Sequence, residues 1–239
     1  MKRLWIFVIA TAVVLGMFIC PAYSDLVTLY PIADNHVSSK YFDRNHGNGT
    51  IYQNSLQVAD ATGWLEGIYM SFLKFDLTSI PNNSVITSAN LTLYRNSGYP
   101  ENHAPFSVSL YHVQNDVSVT ESMTWNTKPV SSTEKLDSQS IHWPGIGGPG
   151  YFRTWNLLKT GGLWNYSSDL SDTDNLVSLC LSKDTTTLGG AVFWAKEIGN
   201  PTVMPKLSIA YQVVPVPPTL WLLGSGLIGL VGLRRKFKK

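Results

Sequence analysis

Residues 69–94 read YMSFLKFDLTSIPNNSVITSANLTLY, two alternating apolar runs joined by a Pro-Asn-Asn-Ser turn, and their reading decides the fold. Leu73, Phe75 and Leu77 share one parity while Lys74 and Asp76 take the other. The second run repeats the pattern, with Ala89, Leu91 and Leu93 set against Asn90, Thr92 and Tyr94. Side chains alternate across a sheet with period two, so each run predicts a half-buried antiparallel strand with one apolar row on a core. Outward from this pair, VTLY, SLQVA, FSVSLYHV, YFRTWNL, LVSLCLS, AVFWA and KLSIAYQ extend the set to roughly ten strand candidates, separated by Gly, Pro, Asn, Ser and Asp. Such a series predicts an all-β sandwich or barrel, with one or two helical turns at about residues 157–164.

The two ends read differently from this middle. Met1-Lys2-Arg3 precedes an apolar run from Leu4 to Cys20 and a small-x-small exit at Ala22 and Ser24, the order of a secretory signal peptide over residues 1–24. Residues 214–239 join a proline-rich stop, a stretch rich in Leu and Gly, and a basic end at Arg234, Arg235, Lys236, Lys238 and Lys239. From Pro218 to Leu233 this segment is 16 residues, about 24 Å as a helix against a hydrocarbon layer of about 30 Å. It is a marginal transmembrane helix, and its basic end would stay in the cytoplasm by the positive-inside bias. Seven of the 18 Lys and Arg belong to these ends, which leaves 11 against 16 Asp and Glu and a central domain near −5. A nucleic-acid binder shows the opposite balance, so that class is excluded. Of the two cysteines, removal of residues 1–24 leaves Cys180 alone, so no internal disulfide forms and the core must supply the stability. Residues 25–213 are enough for one such core, since a chain of this size buries about 70% of its unfolded surface.

The succession FLKFDLTSIP, VITSANLTLY, FSVSLYHV and TESMTWNTKP resembles the DNRLRE-type domain, a secreted bacterial β-sandwich classed among carbohydrate-binding modules, as family 96. Further matches are Ala33-Asp34 and Asn45-His46-Gly47 upstream, and Glu197, Pro205 and Leu207 downstream. The resemblance runs from about Leu29 to Tyr211; the hexapeptide that names the family is absent. It implies a jelly-roll-like antiparallel β-sandwich with a carbohydrate-binding role and no catalytic one. The C-terminal segment is similar to a PEP-CTERM sorting signal, with Pro215-Val216-Pro217 aligned on the Pro-Glu-Pro motif and Val216 standing where Glu is commonest. That resemblance implies an inner-membrane precursor of a Gram-negative bacterium, handled by an exosortase-like protease and passed to the surface or extracellular matrix. Pro215, Val216, Pro217, Arg234 and Arg235 are its motif residues here.

The exported domain carries no His-Glu-x-x-His, Gly-x-Ser-x-Gly, phosphate-cradling Gly loop or Cys-x-x-Cys, and its five histidines are scattered singly. Two regions are candidates for binding. Residues 34–48, DNHVSSKYFDRNHGN, are dense in the oxygen donors that Ca²⁺ takes six to eight at a time, with Asp34 and Asp43 as the leading ligands. Asp and Asn are also ordinary turn formers, which is the competing reading. Residues 141–166 gather Trp143, Tyr151, Phe152, Trp155, Trp164 and Tyr166 among Gly and Pro. Trp143 and Tyr151 are the expected sugar contacts, while Trp155 and Trp164 fall where the resembling family has core residues. Strand parity nevertheless puts Tyr151 on the same face as Trp155. Three functions follow in order: polysaccharide binding; a structural or adhesive matrix protein that binds proteins or itself through sheet edges; and polysaccharide cleavage, since the separation of two carboxylates cannot be read from a sequence.

Overall fold

The computed structural model describes residues 24–47, 54–60, 67–99, 105–114, 118–130, 135–142, 150–159, 164–171, 174–184 and 189–214. Residues 1–23 of the expected signal peptide, Trp143, and residues 215–239 with the expected sorting motif therefore lie outside the described residues. Among the described residues no helix is long and apolar enough to cross a membrane.

Asp25–Tyr211 is one compact unit, and its strands are β1 (Ser24–Leu29), β2 (Ala33–Ser38), β3 (Ser55–Ala59), β4 (Tyr69–Asp76), β5 (Ser84–Tyr99), β6 (Phe106–Val113), β7 (Lys135–Ile141), β8 (Tyr151–Asn156), β9 (Leu176–Lys183), β10 (Gly190–Trp194) and β11 (Lys206–Val213). The expected all-β antiparallel sandwich is what the chain forms. Strands β2, β4, β9, β6 and β7 follow one another in one wall, and β1, β11, β5 and β8 in the other. The 16-residue β5 serves three partners: it neighbours β11, Asn90–Arg95 pairs with β8, and the end of the strand pairs with β10. Strand β10 continues to β3, which meets β4 at the single pair Ala59 and Tyr69, so the walls are stitched together along one side.

The alternation read at residues 69–94 is what fills the space between the walls. Leu73, Phe75 and Leu77 from the first run face Ala89, Leu91 and Leu93 from the second, all fully buried. Val177, Leu179 and Leu181 of β9, Val108 and Leu110 of β6, and Leu207 and Ile209 of β11 complete the layer. Trp155 and Trp164 are its largest members, and the Trp155 indole N–H donates to the Val108 carbonyl at 2.9 Å, so the one polar atom of that ring is satisfied inside. Phe193 meets the same indole edge-on at 5.8 Å.

A second, smaller cluster lies on the other side of the β2–β4–β9–β6 wall. Phe72 and Cys180 have the parity opposite to the main core, yet both are fully buried, because Val119 and Met123 from residues 118–127 roof them. Burial pushes the Cys180 thiol far up its scale, so the one cysteine described is an inert apolar filler.

Two expectations shift. Among the described residues the helical piece, α1, is Tyr166–Ser171, after the expected stretch at about 157–164, whose residues 157–159 form a turn. Asn165 sets its start: its carbonyl accepts from the Ser168 N–H at 3.0 Å and the Ser168 hydroxyl at 2.7 Å, and its Oδ1 from the Ser167 hydroxyl at 3.0 Å. Trp164 sits just before this start, buried, donating to Asp169 at 2.5 Å. Asp34 lies on a strand, β2, rather than in a loop, because β2 pairs in full register with β4 from Ala33–Lys74 to Ser38–Tyr69.

Candidate functional site

Four stretches distant in the chain meet beside β2. Asp34 is 1% exposed and its backbone N–H donates to Glu121 Oε1 at 3.1 Å, while its Oδ2 accepts from the Lys196 N–H at 2.8 Å. Lys196 and Glu197 open a 3-10 turn, Lys196–Ile198, after β10. The Lys196 ammonium then reaches both Glu121 Oε1 at 2.7 Å and Glu197 Oε1 at 2.5 Å. One carboxylate oxygen from each of Asp34, Glu121 and Glu197 lies within 4.8 Å of the others. Burial, with Glu197 and Glu121 close by, pushes the Asp34 carboxyl well above the usual carboxylate range. Burial pulls the Lys196 ammonium the other way, but its bonds to Glu121 and Glu197 outweigh that and hold it above the usual lysine range.

The loop that brings Glu121 here is fastened by Asn35. Its side-chain amide donates to the carbonyls of Met123 at 2.9 Å, Glu121 at 3.2 Å and Thr120 at 3.5 Å. Gly47 closes the other side. A Cβ there would stand 2.3 Å from the Glu121 carbonyl oxygen and 3.0 Å from Asn35 Cγ, so only glycine fits. Asn45 Oδ1 accepts the Gly47 N–H at 2.8 Å and sets that approach. The Asn-x-Gly at residues 45–47, the Ala-Asp at 33–34, the Glu in Thr-Glu-Ser and the closing Glu197 thus form one assembly.

Asp43 is not part of the carboxylate cluster. It is exposed and accepts from Asn126 Nδ2 at 2.7 Å, bracing the Thr-Trp-Asn turn. Beside it Trp125 is half-buried against the second cluster, with the Lys128 ammonium 4.4 Å from its ring centre. Sequence reasoning paired Asp34 with its near neighbour and missed Glu121 and Glu197 as companions. The signal that could have found them was the ordered set of acidic positions in the family resemblance.

The aromatic region divides by strand parity. Tyr151, Arg153 and Trp155 turn toward the interior, with Trp155 fully buried and Tyr151 half-buried at the end of the sandwich. The Tyr151 hydroxyl donates to the His142 carbonyl at 2.6 Å and accepts from Arg95 Nη1 at 2.9 Å. Two guanidinium groups lie on its ring, Arg153 at 4.2 Å and Arg95 at 5.3 Å. Burial lowers the Arg95 pKa, and Tyr151 opposes that shift. Tyr151 therefore braces a buried arginine.

The model of carbohydrate-binding module family 96 matches residues 25–145, strands β1 to β7 and the Asp34–Glu121 half of the assembly. The chain belongs to carbohydrate-binding module family 96. Within this family 96 protein, residues 213–236 match the PEP-CTERM protein-sorting motif, which implies export and a membrane-anchored sorting precursor. No curated protein matches the chain. Among solved structures, one described as the structure of infectious bursal disease virus Gx strain is similar at 11% identity and a TM-score of 0.24. That likeness covers 80% of this chain and 38% of the other, and carries no argument.

Proposed function

We propose that this family 96 protein is an exported, non-catalytic polysaccharide binder, delivered to the cell surface or extracellular matrix by an exosortase-like system after loss of residues 1–24. The observation that carries the reading is the family match over residues 25–145, together with the sandwich those residues build. Trp143 is a proposed sugar contact beside His142. Affinity electrophoresis of the full chain, in detergent, through gels containing neutral or carboxylated polysaccharides tests the reading. Retardation in at least one gel is expected; equal mobility in all of them removes the binding role. Intact-mass measurement of extracellular material tests the sorting, since Lys239 found still attached there would remove the processing step near Pro217.

Ca²⁺, in this proposal, belongs with Asp34, Glu121 and Glu197 rather than with Asp34 and Asp43, and it would compete with the Lys196 ammonium. A ligand bound only by the folded state stabilises by about 2.7 kcal/mol at one hundred times its Kd. A chelator that lowers the Tm supports the metal, whereas an unchanged Tm leaves Lys196 as the cluster's only cation. The adhesive reading has one observation in its favour: β1 ends the strand order, with Leu26 73% exposed. Self-association abolished by Leu26→Lys, without polysaccharide retention, would favour it.

A further inference from the structure

The outward side of β8 carries Phe152, Thr154 and Asn156, the parity opposite to Trp155. Its antiparallel register with β5 sets Phe152 against Tyr94, Thr154 against Thr92 and Asn156 against Asn90. Two columns of three side chains therefore stand side by side on one sheet surface. Phe152 remains 44% exposed although it sits within a regular strand. Tyr94 meets it edge-on at 5.0 Å, and Lys206 of β11 holds its ammonium 5.5 Å from the Phe152 ring centre. The Thr92 and Thr154 hydroxyls are 3.0 Å apart.

The aromatic end of this surface is held in place. A Cβ on Gly150 would come within 2.4 Å of the Tyr94 ring, so the backbone entering β8 lies directly against that ring. Along β8, Phe152 to Asn156 spans about 14 Å at the strand rise. A ring plane at one end is thus followed by hydroxyl and amide groups at fixed spacing, with an ammonium beside the ring.

The chemistry of this surface selects its partner. A pyranose ring has an apolar C–H face and a rim of hydroxyls, so it needs one aromatic plane and several small donors and acceptors around it. A protein interface instead centres on an apolar, desolvated patch, and Phe152 is the only outward apolar side chain on β8. Among the described residues the surface is also open. The corresponding outer side of the β2–β4–β9–β6 wall is roofed by Val119 and Met123, whereas among the described residues Phe152 has no such roof.

We propose that the outer face of β5 and β8 is the polysaccharide-binding platform of this protein. Phe152 stacks on a pyranose ring, Lys206 donates to an oxygen of that sugar, and Thr154 and Asn156 hydrogen-bond to the chain as it continues along the strand. This rests on the polysaccharide-binding reading above, and gives that reading a place.

The test uses the full chain in detergent, by affinity electrophoresis in gels of laminarin, xylan, hydroxyethylcellulose or polygalacturonate, with thermal melts of each variant. In a gel that retards the wild type, Phe152→Ala is expected to weaken binding at least tenfold and Lys206→Ala several-fold, while Phe152→Trp preserves it. Lys128→Ala, on the roofed side, is expected to bind as the wild type does. If Phe152→Ala and Lys206→Ala both bind normally while the wild type is retarded, the platform is wrong and the binding function stands. If the wild type is retarded in none of the gels, the platform falls with the function it serves.

Discussion

The two outer sides of the sandwich are built from strands of the same kind and end in opposite states. On the β2–β4–β9–β6 wall, Asn35, Phe72, Cys180 and Tyr111 stand in one cross-strand row, and a loop fastened by Asn35 covers its centre. On the β5–β8 side, Tyr94 and Phe152 make an equivalent pair with no loop over them among the described residues. A strand's outward side chains become core only when another segment arrives to exclude water, so parity alone does not tell an interior residue from a surface one. The roof is the difference.

The largest expected effect that sharpens this contrast is at Phe72. Truncation to Ala on the roofed side should cost about 3–5 kcal/mol, read as a shift in the denaturant midpoint, because the roof prevents water from refilling the space. A loss below about 1 kcal/mol would mean that the roof is open in solution. Asn35→Ala comes next. It removes the amide group whose two N–H donors serve the loop carbonyls of residues 120, 121 and 123 and should cost about 2 kcal/mol, with faster hydrogen exchange over residues 118–127 as the specific readout.

The third effect is on acid stability. His36 is fully buried on β2, and burial first, then neighbouring His46, lowers its pKa to about 3. The unfolded chain takes up this proton near pH 6.5 and the folded chain does not, so stability falls as pH drops from about 6.5 toward 3. At pH 5 the contribution amounts to about 2 kcal/mol. His36→Gln should flatten that part of the profile of Tm against pH, and an unchanged slope would show that other groups carry it. The smallest effect is on the open side: Phe152→Ala should cost about 1 kcal/mol or less, because its ring is already half in water. A loss comparable to that at Phe72 would erase the distinction between the two sides.

The main core was legible because its residues obey one rule. Leu73, Phe75 and Leu77, and then Ala89, Leu91 and Leu93, alternate with polar groups as half-buried strands must. Strand β2 was not legible. Its Asp-Asn-His-Val-Ser run has no apolar alternation, and it is buried because its polar groups find partners elsewhere: Asp34 at Lys196, Asn35 at the 120–123 carbonyls, His36 at the Ser55 carbonyl. Those partners lie 162, 88 and 19 residues away, beyond the reach of any local pattern. The same separation hid Glu121 and Glu197 as companions of Asp34, although their order in the chain carried the family resemblance. Tyr151 was suspended between surface and interior by parity with Trp155, and the structure gives it the interior side as the support of Arg95. Phe152, one residue on, carries the exposed ring.

The bond from the Lys196 backbone to Asp34 closes a loop of 162 residues. Folds dominated by such distant pairings form slowly, because most of the chain must be present before the closing contact is made. A chain threaded across a membrane N-terminus first delivers β2 well before Glu121 and Lys196 arrive. A strand of Val and Ile waiting in that position would be an invitation to aggregate. Apart from Ala33 and Val37, strand β2 is Asp, Asn, His and Ser, groups that water satisfies until the far end of the domain arrives to replace it.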